Sequence, residues 1–145
     1  MPHLAQHTST DFSVLLTQLG HSNRQVRLQA AATLCRHGKR ERTALAAILA
    51  GLRHSDPMIR RTAALILGDL PEHGDRIVPA LAAALSDSQS TVRRQVITSL
   101  SRLGATAGPA IPALWQAARD ADPGVRALAS SLLAHLSPAS TRAAA

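Results

Sequence analysis

The feature that most constrains this chain is a recurrence at 33 residues. Stepping by that interval aligns Val26, Ile59, Val92 and Val125, and in the next column Arg27, Arg60, Arg93 and Arg126. Seven residues on come Leu34, Leu67, Leu100 and Leu133. Upstream, Leu15, Ile48, Leu81 and Leu114 align, as do Phe12, Leu45, Val78 and Ile111. Arg is only about a tenth of the chain, so an all-Arg column has odds of roughly one in a thousand. Several columns agree at one ungapped spacing. The chain is four copies of one unit, and units of this size are stable when stacked on their neighbours.

Each unit reads as two helices. Leu45, Ile48, Leu49 and Leu52 lie at i, i+3, i+4 and i+7, one face of a helix. Ile59, Ala63, Ala64, Leu67 and Leu70 trace the inner face of the next. Between them, Asp56 and Asp122 are placed as N-caps with Pro57 and Pro123 at the first helical position, where a missing amide donor costs nothing. Asn23 is the cap of the first repeat. In the third, Gln89 is a poor cap, and Ser88 or Ser90 is expected to replace it. Gly38 and Gly104 share a column where a left-handed residue would end the helix, and Pro71 is expected to end it in the second repeat. Pro79 and Pro112 fall near the fourth position of the first helices and are expected to bend them.

The phrases "DPMIR" and "DPGVR", each followed by Ala pairs or spaced Ala and then Leu at fixed offsets, resemble the HEAT-repeat superfamily. The pattern looks most like the short bacterial subgroup of phycobilisome-lyase-type HEAT-like repeats. The resemblance spans about Thr10 to Leu136. It implies an all-α, right-handed α-solenoid of four helix pairs, with second helices on the concave side. The expected organisation is a tail at 1–9, one repeat domain at 10–137 (repeats about 10–38, 41–71, 75–104 and 108–137) and a tail at 138–145. Both tails lack an apolar stripe and are expected to be loosely held.

Composition agrees with helices packed through aliphatic side chains. Apolar residues make up 46%, yet there is one Phe, one Trp and no Tyr. One Cys excludes an intramolecular disulfide framework. No basic n-region with an apolar run opens the sequence, and no stretch has the ~18 apolar residues a membrane helix needs. A cytoplasmic protein is expected. Sixteen Lys and Arg against nine Asp and Glu give +7, which favours acidic partners. Lys39 is the only Lys, and with the Ala content this points to a high-GC bacterial genome.

Two sets of charged residues stand out. The Arg column, with Asp56, Asp87, Asp120 and Asp122 in the turns, reads first as a structural ladder. Each Arg leans toward its helix N-terminus, where bidentate carboxylate pairing would tie repeats together. The resemblance implies the same role. Arg36, Arg61, Arg94 and Arg102, with Asp69 and His135 in the columns of Arg36 and Arg102, are placed on the outer faces of the second helices. They are the candidate partner-binding residues, for a solenoid binds in its groove. The run "RHGKRER" from Arg36 to Arg42 is basic, but no aromatic residue is interleaved for base stacking.

Chemistry is poorly represented. Cys35 has no base but His37, which the helix directs elsewhere, and Asp120 and Asp122 are explained by turn and capping duties. "GATAG" lacks the Lys-Ser or Lys-Thr of a phosphate loop. Trp115 alone cannot line a base-flipping pocket. His3 and His7 have no third ligand nearby, and no metal-ligand spacing occurs. The expectation is a non-catalytic scaffold or adaptor without cofactor or metal, whose protein partner carries an acidic segment. Nucleic-acid binding through the Arg-rich surface is the alternative, followed by a bilin-lyase-like enzyme or chaperone, which rests on the resemblance alone.

Overall fold

The computed structural model describes residues 10–137; the two expected tails, 1–9 and 138–145, lie outside them. Eight α-helices occur among the described residues: α1 (Phe12–Gln18), α2 (Arg24–Gly38), α3 (Arg42–Gly51), α4 (Pro57–Leu67), α5 (Gly74–Ala84), α6 (Ser90–Leu103), α7 (Ile111–Ala117) and α8 (Pro123–Leu136). Short 3-10 segments, Pro71–His73 and Gly104–Ala110, precede α5 and α7. No strand is present among these residues.

Capping chemistry sets where the second helices begin. Asn23, Asp56 and Asp122 are N-caps, and their side chains accept from the amides of Gln25, Met58 and Val125. The third repeat solves the problem differently from expectation. Neither Ser88 nor Ser90 caps α6; the Asp87 carboxylate accepts from the Gln89 amide at 2.9 Å, an Asx-type turn that fixes the same corner.

The repeating columns become the core. Ile59, Val92 and Val125 are buried, as are Leu34, Leu67, Leu100, Leu133, Ile48, Leu81 and Leu114. First helices form one layer and second helices the other, with α6 packed between α4 and α8. The result is an α-solenoid of four helix pairs.

The α4–α6 seam is tight. A Cβ on Gly68 would lie 2.9 Å from Ser99 Cβ and 3.0 Å from its Cα. Ser99 is the buried polar side chain here, and its hydroxyl donates to the Ala64 carbonyl at 2.6 Å. That bond uses a carbonyl inside a helix and so holds two neighbouring repeats in register.

Helix ends depart from expectation in three places. Gly104 has φ +64°, the left-handed side that favours glycine, and ends α6. Gly38 does not share that conformation; it stays within α2. Its role is room, for a Cβ there would lie 2.9 Å from Ile48 Cδ1 and 3.1 Å from Leu70 Cδ1. Pro71 does not terminate α4, which has already stopped at Leu67; it opens a 3-10 turn instead. Pro112 occupies the second position of α7 and needs no internal bond removed. Pro79 lies deeper, inside α5.

Candidate functional site

The charged columns sort into those that bind the repeats together and those left over. Arg60 reaches the next repeat with both edges of its fork: Nε to Asp87 Oδ2 at 2.7 Å and Nη2 to Asp87 Oδ1 at 3.1 Å. Arg93 does the same to Asp120, at 2.8 and 2.9 Å. Both pairs are largely buried, with side-chain exposures of 7–15%. In each Arg, Nη1 turns back to a carbonyl of its own turn, His54 O for Arg60 and Asp87 O for Arg93. Planar guanidinium suits this division of labour between two partners.

The ladder is not uniform along the chain. Arg27 and Arg126 make only the carbonyl contacts, to His21 and Ser22 and to Asp120 and Ala121. For Arg27 the reason is in the sequence, because the position 27 residues on is His54. Asp56 makes no ion pair among the described residues and serves as a cap. Asp122 leaves the ladder too, pairing with Arg94 rather than with the Arg column.

A further column explains how the acids are held. His21, His54, Asp87 and Asp120 recur at 33, two residues before each cap. Each accepts from the backbone amide of its cap residue, at 2.9–3.0 Å. The cap corner and the inter-repeat ion pair thus share the same side chain in repeats three and four.

The outer surface of the second helices carries three exposed rows. One holds Leu28, Arg61, Arg94 and Ala127; the middle one Ala32, Leu65, Thr98 and Ser131; the third Arg36, Asp69, Arg102 and His135. All four candidate partner-binding residues therefore share this face, but not in the same condition. Arg94 is bound to Asp122 by two hydrogen bonds, at 2.8 and 2.6 Å. Arg102 is bound to Asp69. Arg36 and Arg61 have no ion partner among the described residues. Of the four candidates, two are thus paired within the fold and two have no ion partner among the described residues. Gly124 gives Arg94 its room: a Cβ there would lie 2.6 Å from Arg94 Nε and would push the guanidinium from its present position against Asp122.

Leu28 lies in the row of Arg61 and Leu65 one turn on from Arg61 in α4, and both are well exposed. Further along, α6 and α8 leave a shallow cavity of about 230 Å³ lined by Thr98, Arg102, Leu128 and His135 among others. Among the described residues no three His, Cys, Asp or Glu side chains form a group able to hold a metal. The Cys35 thiol is pushed up from its usual value by burial, with Asp69 adding to the effect, which disfavours a thiolate nucleophile. His37 points to Glu41 and not to Cys35. No helix is long and apolar enough to cross a membrane among the described residues.

The pairing also sets an acid sensitivity. The Arg94 hydrogen bonds, then the Val125 amide, hold the Asp122 carboxyl down at about 2. Arg93 likewise lowers Asp120. Burial works against the Asp87 carboxylate, but Arg60 and the Gln89 amide outweigh it and its pKa is also lowered. Depressed folded-state values mean stabilisation present above the unfolded pKa and lost as pH falls through the folded one. Thermal melts followed by circular dichroism should therefore show the midpoint dropping most steeply between about pH 4 and 2. A midpoint unchanged over that interval would show that these pairs do not contribute.

The HEAT-repeat family profile matches residues 12–76 and 69–134. The chain belongs to the HEAT-repeat family. Among solved structures, this HEAT protein is similar to human deoxyhypusine hydroxylase in complex with glycerol, at TM-score 0.65 and 27% identity over 88% of this chain and 44% of that one. Two engineered proteins match at TM-scores of 0.53 and 0.51, each 18% identical, covering 88% and 86% of this chain and 62% and 37% of theirs. The chain thus spans less than two thirds of each of these structures. Among curated proteins, none matches it.

The inter-repeat pairs Arg94–Asp122 and Asp69–Arg102 were not read from the sequence. A signal existed for each. Asp69 and Arg102 alternate in sign within one 33-residue column, and Gly124 replaces larger residues in a column of Gln25, Met58 and Thr91.

Proposed function

We propose that this HEAT-repeat protein is a non-catalytic adaptor that holds a protein partner on the face of its second helices. The observation that carries this reading is the uneven spending of charge on that face. Arg94 and Arg102 are neutralised within the fold, whereas Arg36 and Arg61 remain available on the face that exposes Leu28 and Leu65. An acidic segment with an apolar side chain fits such a surface: cations steer its approach, and desolvated Arg with neighbouring apolar contact supplies the affinity. HEAT repeats commonly act as interaction scaffolds, and a fold by itself does not decide a chemistry. The "DPMIR" and "DPGVR" phrases support the phycobilisome-lyase-type subgroup, and the Arg-for-Lys and Ala bias supports a bacterial setting.

The test compares two double reversals in capture from lysate, quantified by mass spectrometry at low and high salt. Arg36→Glu with Arg61→Glu should reduce retention of the specific partner at least about tenfold and leave helicity intact, because neither side chain has an ion partner among the described residues. Arg76→Glu with Arg119→Glu, at exposed positions of α5 and the turn after α7, should have little effect. Reversal of Arg94 or Arg102 is a poor test, since it also breaks a contact between repeats. Equal losses from both double reversals, together with duplex DNA affinity that falls steeply with log salt, would replace this reading with nucleic-acid binding. A stoichiometric absorbance shift on adding bilin would replace it with a pigment-handling role.

A further inference from the structure

The seam between α6 and α8 uses the same two columns as the seam between α4 and α6, with larger side chains. In the first of these seams Gly68 meets Ser99, at a separation that leaves no room for a Cβ on Gly68. One repeat on, the two columns hold Ser101 on α6 and Leu132 on α8. Serine and leucine cannot close as glycine and serine do, because packed side chains do not interpenetrate. Two cavities lie along the α6–α8 seam, of about 230 and 510 Å³, and Ser101, Leu132 and His135 line both. Together they form a slot between repeats three and four, on the face of the second helices.

The walls of the slot are apolar and its charges are already matched. Ile97 and Leu132 are buried side chains of the lining, and Leu128 is 38% exposed at the edge. Arg102 lines the smaller cavity but is bound to Asp69, and Arg94, on the same face of α6, is bound to Asp122. An ionised occupant finds no uncompensated counter-charge here, in contrast to Arg36 and Arg61. What the slot does offer is a hydrogen-bond acceptor. His135 Nδ1 lies 2.8 Å from the Ser131 carbonyl oxygen, which can only accept. The ring hydrogen therefore sits on Nδ1, and the neutral imidazole keeps Nε2 as an acceptor with no partner among the described residues.

We propose that this slot receives a neutral aromatic side chain of the partner segment, one whose ring edge carries a hydrogen-bond donor, as tryptophan and tyrosine do. The apolar walls take the ring and His135 Nε2 takes the donor. A leucine in the same place would cover Nε2 without pairing it, and that loss favours the aromatic donor. The inference rests on the adaptor reading and gives its partner a polarity. Acidic residues lie over Arg36 and Arg61 in repeats one and two, and the aromatic residue lies over repeats three and four.

The probes are N-acetyl-tryptophanamide and N-acetyl-tyrosinamide, with N-acetyl-phenylalaninamide as the ring without a donor. Each is titrated to about 10 mM into the isotope-labelled full chain and followed by amide chemical shifts. The first two should give saturable shifts around Ser101, Leu132 and His135 with Kd of about 1–10 mM, and the phenylalanine amide should bind at least about threefold more weakly. His135→Leu should remove that preference. Ser101→Leu should fill the slot and abolish the shifts; Ser131→Leu, which fills it from α8, serves if the first variant does not fold. The proposal falls if no saturable shift appears at those amides, if the shifts survive a folded filling variant, or if the preference survives His135→Leu. Reversal of Arg36 and Arg61 does not touch the slot, so the two readings fail separately. Loss of capture on that reversal without amide binding overturns the slot and keeps the adaptor; amide binding without loss of capture keeps the slot and overturns the adaptor.

Discussion

Arg93→Ala is expected to lower the unfolding free energy by about 1–3 kcal/mol, among the largest effects of any change at a polar side chain here. Three hydrogen bonds are lost at once: two to Asp120 and one to the Asp87 carbonyl. The more costly consequence falls on Asp120, which stays largely buried with its charge uncompensated. Urea denaturation measures the loss, and a cycle with Asp120→Asn separates the pair from its parts. Arg93→Lys should recover only a fraction, because an ammonium cannot serve a carboxylate in two places and a carbonyl in a third. If Arg93→Ala unfolds at the same urea concentration as the parent, the ladder contributes nothing to stability. Partner capture corrected for folded fraction should not change.

Gly68→Ala should destabilise by a similar amount, about 1–3 kcal/mol, for the opposite physical reason. Gly68 has φ −64°, which alanine adopts freely, and alanine is the better helix former. Conformation alone therefore predicts a gain. Space predicts a loss, since the added methyl would meet Ser99 Cβ and Cα at 2.9 and 3.0 Å, and backbone atoms cannot turn aside. Separating α4 from α6 also stretches the bond from Ser99 to the Ala64 carbonyl. The second effect is larger because it acts on a seam rather than on one residue. Ser99→Gly in the same chain should restore part of the loss, and a Gly68→Ala variant more stable than the parent would show that the seam is looser than its distances indicate.

The periodicity made the architecture legible because each repeat obeys the same local rules. Val92 and Leu100 are buried for the reason Ile59 and Leu67 are, and one column stands for all. Caps were legible wherever the side chain acts on its own turn, as Asp56 and Asp122 do. The ladder was legible as Arg–carboxylate pairing between repeats, though not which acid each Arg takes, 27 residues on. What escaped were contacts at other offsets: Arg94 and Asp122 lie 28 apart, and Asp69 and Arg102 lie 33 apart. Helix periodicity assigns Arg94 to the outer face correctly; it does not reveal that Gly124 opens a path from that face to Asp122. Gly38 misled for a related reason: glycine marks either a left-handed turn or a close approach, and the two look alike until Ile48 and Leu70 are in place.

The distribution of these pairs has a mechanical corollary. Repeats two, three and four are cross-linked by Arg60–Asp87, Asp69–Arg102, Arg93–Asp120 and Arg94–Asp122, whereas no ion pair among the described residues joins repeat one to repeat two. Stability in a stacked array is a sum over neighbouring interfaces, so a weaker first interface divides the chain into two cooperative units of unequal size. Repeat one is expected to open from the three-repeat block at lower cost than the block melts, which earlier hydrogen exchange of its amides would show. Arg36, on repeat one, and Arg61, on the block, then lie on opposite sides of the weakest seam, and a ligand that spans them acts as a clasp across it.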